Sequence, residues 1–332
     1  MADVRTIPLH AIEGFLIGHA TDAEAGTGTT VIVAPKGAVG GVDVRGGAPA
    51  SRETDLLKPE NTVQEAHAVC LSGGSAYGLA AASGVATALE KRGIGLDVGV
   101  GIVPIVCGSC VFDLACGDPA VRPGASFGER AVEDAFARAG QPIEEGNVGA
   151  GAGATVGKLH GPECAMKGGV GASALAVGSL QVGAVAVVNA CGNVYDPKTL
   201  SPVAGMRAAA DSNVIVSMED ALLEEGEQAV MPLDRTNTTI SCVVTNARLT
   251  QAQATKVAQM AADAYAHVIR PTHTSNDGDT VYVLSSGAVE APIDVVGTAA
   301  VRALEQALVR GCTEAAGAYG YPAARDLHPD GK

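Results

Sequence analysis

With four phenylalanines, six tyrosines and no tryptophan in 332 residues, this chain must build its interior almost without aromatic rings. Aromatic side chains normally supply the largest pieces of buried surface. Here Ala, Val, Leu, Ile and Gly must do so, and hydrophobic residues make up 47% of the chain. Such small side chains fill a core only where sheets and helices approach closely, so tightly packed layers are expected. Recurring apolar runs and a mean hydropathy of +0.23 exclude a disordered chain. The 43 glycines fall far short of the every-third-residue spacing of collagen. Length alone allows two domains, but one large domain of this size is common, and a single domain over 1–332 is the reading adopted.

The net charge of −14, with no Lys/Arg cluster, argues against nucleic acid or an anionic membrane as partner. No apolar run reaches the roughly 18 residues of a membrane span. Residues 1–11 lack the apolar stretch of a secretory signal, so a cytoplasmic location is expected. In that compartment Cys70, Cys107, Cys110, Cys116, Cys164, Cys191, Cys242 and Cys312 are expected as free thiols that pack like small hydrophobes.

Along the chain, 28–34 and 38–45 read as two strands of a hairpin around Pro35-Lys36-Gly37. Residues 75–91 read as a helix capped by Ser75 and stopped at Gly93, 98–107 as a buried strand, and 127–138 as a helix. Strands are expected at 170–178, 182–189, 238–246 and 280–285, with helices at 203–211, 250–269 (Thr250 as N-cap) and 293–310. The acidic stretch 218–228 and the aperiodic 229–237 read as an exposed connection. This mixture without steady alternation predicts an α+β fold of sheets covered by helices.

Several short motifs are weighed against plainer readings. Gly151–Lys158 resembles a phosphate-binding loop, but Ala152 and Leu159 occupy positions that require Gly and Ser or Thr. A close-packed glycine turn is the better reading, although a buried Lys158 needs a partner or a task. Cys107 and Cys110 have redox or zinc spacing but no second pair nearby, and no metal or cofactor is expected. Gly73-Gly74-Ser75-Ala76-Tyr77 fails as a nucleophile elbow because Tyr77 replaces the final glycine. His273, close to Asp277 and Asp279, reads as structural. Asp277-Gly278-Asp279 lacks the later glutamate of a calcium loop, and such a pair can instead tune a nucleophile. Thr238, where the acidic connection meets a strong strand, has a further possibility. As a chain terminus it would own both a hydroxyl and an α-amine, and the amine can take the hydroxyl proton without a histidine. No convincing Ser/His/Asp or Cys/His set competes.

Asn237-Thr238-Thr239-Ile240, Val243-Val244-Thr245-Asn246, Arg270-Pro271 and His273-Thr274…Asp277-Gly278-Asp279-Thr280 together resemble the DmpA-like aminopeptidases. This L-aminopeptidase/D-esterase family includes β-aminopeptidases and nylon-oligomer hydrolases. Gly28-Thr29-Thr30-Val31-Ile32, Arg45-Gly46-Gly47, Gly73–Leu79 and Gly149–Lys158 extend the resemblance over roughly 15–320. It implies a four-layer αββα sandwich, similar in layering to N-terminal nucleophile hydrolases but differently connected. It implies a precursor that cuts itself between Asn237 and Thr238 into 1–237 and 238–332, with Thr238 as nucleophile. By the same resemblance Asn189 helps hold the oxyanion, Lys158 lies beside the nucleophile, and Asp277 and Asp279 are the two acids of the nylon-hydrolase branch. Phe112 falls near a position where some members have a Tyr. A homo-oligomer, a tetramer of cleaved protomers, is also implied.

The function expected is a self-processing amidohydrolase or aminopeptidase acting on small peptides or amides through an acyl-enzyme. The alternatives are an endo-type hydrolase of ω-amino-acid oligomers such as 6-aminohexanoate oligomers, an ornithine-type acetyltransferase, and a non-catalytic assembly protein. Aminoacyl amides, 6-aminohexanoate oligomers, acetylornithine and a test for self-splitting distinguish them.

Overall fold

The structure, a computed structural model, describes residues 3–229 and 237–327. Ten strands join one continuous sheet: β1 (Val4–Thr6), β2 (Leu16–Asp22), β3 (Thr27–Val44), β4 (Ser51–Arg52), β5 (Glu65–Ser72), β6 (Val106–Cys110), β7 (Val170–Val177), β8 (Leu180–Asn189), β9 (Thr238–Ala247) and β10 (Thr280–Val289). Their order across the sheet is β1-β7-β8-β9-β10-β3-β5-β6-β4, with β2 added to β3. Neighbours run antiparallel except β9 with β10 and β5 with β6. The longer helices are α1 (Ala81–Glu90), α2 (Ala125–Ala137), α3 (Met218–Glu225), α4 (Gln251–Ala261), α5 (Asp263–Val268) and α6 (Ile293–Thr313).

The hairpin expected around Pro35-Lys36-Gly37 is instead one long strand, β3, bent at that point. Its first half pairs with β2 and β5, and its second half pairs with β10. Register against β5 slips between Val33 and Ala38. Pro35 removes a ladder donor and Gly37 sits at φ +76, so the pair kinks the strand. The two halves do not turn back on each other because each finds antiparallel partners elsewhere.

The bend folds the sheet over itself. Ile32, Val69 and Leu71 of one half meet Val185, Val187 and Ile240 of the other in a shared apolar layer. On one outer face α1 and α2 cover Val31, Val33, Ala68 and Cys70. On the other, α4, α5 and α6 cover Val182, Ala184, Ala186 and Val188. Residues 182–188 thus alternate between the helix layer and the inter-sheet layer, as the two-residue period of a strand requires. The α+β fold and its αββα layering hold. The helices ride directly on the sheet: a methyl group at Gly171 of β7 would stand 2.1 Å from the Ala307 carbonyl oxygen of α6, and one at Gly41 of β3 would stand 2.3 Å from the Ala254 carbonyl carbon of α4.

Other expectations need correction. Residues 75–80 form a 3-10 turn before α1, and Gly74 rather than Ser75 stands at its cap, with Ser75 at φ +54. The run expected as a buried strand splits: 106–110 is buried as β6, but Leu96–Val103 is an exposed two-stranded turn in which Val100 is 97% accessible. No helix covers 203–211; Pro202–Ala204 is a strand and Arg207 bridges Ile215. The helix at 250–269 is α4 followed by α5. The acidic connection begins as α3, started by a bond from the Asp220 N–H to the Ser217 hydroxyl and anchored by buried Met218. Residues 230–236 of that connection lie outside the described residues.

Candidate active site

The site forms where the ends of β8, β9 and β10 lie side by side. Antiparallel pairing sets Asn189 opposite Thr238, and parallel pairing sets Ile240 beside Thr280. The 272–279 segment therefore arrives next to the start of β9. Thr238, Asn189, Lys158, Asp277, Asp279 and Asn237 are all buried, and the fold gathers all six into one region.

Thr238 donates its hydroxyl to the carbonyl oxygen of Asn237, the residue before it. Thr239 donates its backbone N–H to Asp279 Oδ1 at 2.7 Å. The other oxygen of Asp279 accepts from Thr272 Oγ1 (3.0 Å), the His273 backbone N–H (3.0 Å) and His273 Nδ1 (2.9 Å). This carboxylate ties the start of β9 to the following loop. Asp277 accepts the Thr274 N–H on Oδ2 at 2.7 Å. Its Oδ1 is buried with no hydrogen-bond partner among the described residues. Burial first, then the neighbouring Asp279 charge, pushes the Asp277 carboxyl up to about 7 against the opposing pull of Thr274 and Lys158.

Between the two acids, Gly278 faces Thr238. A methyl group there would stand 3.0 Å from Thr238 Oγ1 and 3.2 Å from its Cγ2. The Arg45-Gly46-Gly47 motif cradles the same loop from outside. The Ala48 N–H reaches the Asp277 carbonyl at 2.8 Å, and any β-carbon at Gly46 would stand 2.3 Å from that oxygen.

Lys158 ends the glycine turn and has the partner that its burial demands. Its ammonium donates to the Asn189 carbonyl (3.1 Å) and to Asn189 Oδ1 (2.9 Å). Burial lowers the Lys158 ammonium to about 7, with nearby Cys191 and Asp277 acting in the opposite direction. Asn189 Oδ1 also accepts the Thr155 N–H at 3.0 Å, while Nδ2 donates to the Phe112 carbonyl at 3.0 Å. Two donors on one end and an acceptor on the other fix which way the amide points.

Sequence reasoning did not find Tyr265. Its hydroxyl bonds Ser241 Oγ (2.9 Å) and donates toward the carbonyls of Thr239 (3.1 Å) and Thr280 (3.2 Å). Its ring stacks on His273 with centroids 5.6 Å apart. A helical tyrosine gives no signal of this in the sequence. The structural reading of His273 stands, since it braces Asp279. Cys107 and Cys110 lie buried in β6, and burial pushes the Cys107 thiol up to about 12.

Two cavities share Phe112 in their linings. One of about 450 Å³ is lined by Thr238 itself, with Ala48, Ala50, Ser75 and Ala76. The other, of about 150 Å³, is lined by Asp113, Thr155, Lys158 and Tyr321. A hydroxyl on the wall of an open cavity, with a carboxylate oxygen unpartnered among the described residues, a depressed lysine and a fixed amide in the same buried region, is a set of groups suited to acyl transfer. Among the described residues, no group of three or more His, Cys, Asp or Glu could hold a metal ion, and no helix is long and apolar enough to cross a membrane.

Comparison with known proteins gives consistent matches. The model for "Peptidase family S58" matches residues 9–324. An uncharacterized aminopeptidase of Mycobacterium tuberculosis (strain H37Rv) is 40% identical over 344 residues, covering 96% of this chain and 97% of that protein. A 6-aminohexanoate-oligomer endohydrolase of Paenarthrobacter ureafaciens is 32% identical over 284 residues, covering 84% of this chain and 75% of that protein. Among solved structures, the L-aminopeptidase D-Ala-esterase/amidase of Ochrobactrum anthropi, described as a variant of the Ntn hydrolase fold, superposes with a TM-score of 0.69 at 17% identity, covering 97% of this chain and 91% of that one.

Proposed function

The chain belongs to peptidase family S58 and is a hydrolase of peptide or amide bonds, and from that premise we propose that it is a self-processing enzyme whose nucleophile is Thr238. In the precursor the Thr238 hydroxyl attacks the carbonyl carbon of Asn237, and the peptide bond is replaced by an ester that water opens. Chains 1–237 and 238–332 result, and Thr238 gains a free α-amine. That amine, which titrates at about 8 when unperturbed, then takes the hydroxyl proton as Oγ attacks a substrate carbonyl. Asn189 and a backbone N–H hold the oxyanion, a contribution of roughly 2.7–4 kcal/mol per donor in comparable sites. The amine proton passes to the leaving nitrogen, and water releases the acyl group. The reaction needs no metal or cofactor.

The observation that carries this reading is the pairing of the Thr238 hydroxyl with the carbonyl of its own preceding residue, against Gly278, whose neighbour Asp277 has an oxygen with no partner among the described residues. The new ammonium is the group that this oxygen lacks. Lys158 fixes Asn189, and Asp279 fixes the backbone of Thr239. The substrate is a small peptide or amide; the Lys158, Asp277 and Asp279 set and the Paenarthrobacter relative favour, as a second reading, endo-cleavage of ω-amino-acid oligomers. The protein works as a cytoplasmic homo-oligomer, for which the exposed apolar turn at 96–103 offers a contact surface. Intact-mass spectrometry tests the core of the proposal: two fragments meeting at Asn237–Thr238 are expected, and only full-length chain after long incubation refutes it.

A further inference from the structure

Ser75 holds a backbone conformation that its residue type does not favour. Its φ is +54, in the left-handed region where a β-carbon crowds the next carbonyl oxygen and glycine pays no steric penalty. The turn around it is glycine wherever the geometry asks for it. Gly74 sits at φ +83. A methyl group at Gly73 would stand 1.9 Å from Asp113 Oδ2, and one at Gly78 would stand 1.8 Å from the Gly73 carbonyl oxygen. Ser75 is the exception, and its side chain gives nothing back to the turn. No side chain caps the 75–80 segment, and Ser75 Oγ bonds no other described residue. Other groups hold the backbone there. Asp113 Oδ1 accepts the Gly74 N–H at 2.6 Å, while Asp113 Oδ2 accepts from Thr27 Oγ1 at 2.6 Å. The Ser75 N–H donates to the Val111 carbonyl at 2.9 Å, and the Gly73 N–H to the Gly28 carbonyl at 2.8 Å.

A strained residue that its surroundings over-determine is characteristic of functional sites. This one lines the cavity of about 450 Å³ that Thr238 also lines. The polar side chains in that described lining are the hydroxyls of Ser51, Ser75 and Thr238 and the thiol of Cys110. Thr238 is the proposed nucleophile, and burial keeps the Cys110 thiol protonated. Ser51 lies on β4 without left-handed backbone. Strand β5, a sharp turn and a helical segment therefore present Ser75 much as a nucleophile elbow presents its serine, although Tyr77 breaks the motif. The described lining includes no histidine to activate it, so contact rather than attack is the role that fits. At the reacting carbon a peptide-like substrate offers a carbonyl oxygen, assigned above to Asn189 and a backbone N–H, and N–H groups that need an acceptor. A serine oxygen has two lone pairs for them. We propose that Ser75 is a substrate-contacting residue whose hydroxyl accepts a hydrogen bond from an N–H of the bound amide or amine. The contact rests on the reading of Thr238 as nucleophile.

The test is Ser75→Gly, which removes the hydroxyl and suits the left-handed backbone, read beside Ser75→Ala, which removes the hydroxyl and keeps the strain. Melting temperature, the time course of self-cleavage, and kcat and KM of the matured protein are measured, the last on the p-nitroanilides of L-alanine and 6-aminohexanoic acid. Ser75→Gly should melt at or above the parent. Both variants should lose at least fivefold in kcat/KM on the anilide that the parent hydrolyses, chiefly through KM, and self-cleavage should slow far less than turnover. A hydroxyl that serves only the fold gives the reverse: both variants melt lower and kcat/KM is unchanged. That result, or an equal loss in self-cleavage and turnover, overturns the proposal. If Ser75→Gly does not fold, the hydroxyl-free Ser75→Ala carries the same kinetic comparison. A parent chain that never splits, or a matured parent that hydrolyses neither anilide, would instead sink the reading of Thr238, and the contact with it.

Discussion

Thr238 and Thr239 stand side by side on β9, yet their surroundings separate them. Thr238 lines the large cavity and donates to Asn237, whereas the Thr239 hydroxyl is buried with no partner among the described residues and its backbone is held by Asp279 at the N–H and by Tyr265 at the carbonyl. Thr238→Ala should abolish splitting and hydrolysis, Thr238→Ser should retain part of both, and Thr239→Ala should process within about twofold of the parent rate; gel-based maturation time courses read all three. If Thr239→Ala blocks cleavage while Thr238→Ala still splits, the nucleophile is placed one residue too early. In the proposed mechanism Asp277 sets the pH dependence. Its carboxyl, raised to about 7 by burial and by Asp279, takes up a proton as the pH falls through 7 and then no longer stabilises an ammonium. Turnover should fall on the acid side of pH 7, and Asp279→Asn should move the midpoint to lower pH by removing the neighbouring charge. A midpoint unmoved in a folded Asp279→Asn variant refutes the assignment. The stability consequence has the opposite sense. The folded value lies above the unfolded one of about 3.9, so the native state holds the extra proton between about pH 4 and 7. That contribution is fully present below pH 4 and is lost as the pH rises through 7. The residues of the candidate site could be named from the sequence, Thr238, Asp277 and Asp279 from short unbroken motifs and Asn189 from the family resemblance, and the structure brings them together. What each one touches was not legible, since Lys158 meets Asn189 and Tyr265 meets His273 only through the fold.

Elements were legible where one period dominated and illegible where a neighbour decided. The 182–189 and 238–246 runs became β8 and β9, and Thr250 heads α4 with a full capping box, in which Gln253 answers its backbone N–H. Thr250→Ala removes half of that exchange and should cost about 1 kcal/mol in urea unfolding. The bend of β3 was not legible, because Pro-Lys-Gly fits a reversal as well as a kink, and only the partners on each side choose between them. The apolar run near 100 was misjudged for a related reason: valines around Gly99 and Gly101 form a turn that projects outward, and hydropathy carries no direction. A core without large aromatics also shifts specificity onto glycine. Gly171→Val would drive a side chain into the backbone of α6, and a loss of about 1–3 kcal/mol, the usual range for overpacking, is expected from the same unfolding assay. A neutral result would mean that α6 can slide on β7.

At the scale of the whole molecule, the proposed cut falls at the most central place that a chain break could occupy. β9 begins at Thr238 and lies between β8 of the large fragment and β10 of the small one. β10 in turn pairs with β3 of the large fragment, while α4 packs on β3 and α6 on β7 and β8. The fragment 238–332 therefore contributes two interior strands and most of one helix layer, and it has no covering for these surfaces except the large fragment. Leaving would expose Ile240, Val244, Tyr282 and Leu284, all fully buried or nearly so. A fully buried side chain of this kind is worth about 1.5–3 kcal/mol in transfer alone, and the broken strand ladders would add unpaired backbone groups. Cleavage should accordingly alter the covalent chain but not the assembly. Size-exclusion chromatography under native conditions should return both fragments in one peak, and they should separate only in denaturant. The urea midpoint of the cleaved protein should fall below that of uncleaved Thr238→Ala, because cutting one bond frees two chain ends in the unfolded state. A small fragment that elutes alone at neutral pH would show that the sheet is not continuous across β8 and β9, and the site built on that pairing would fall with it.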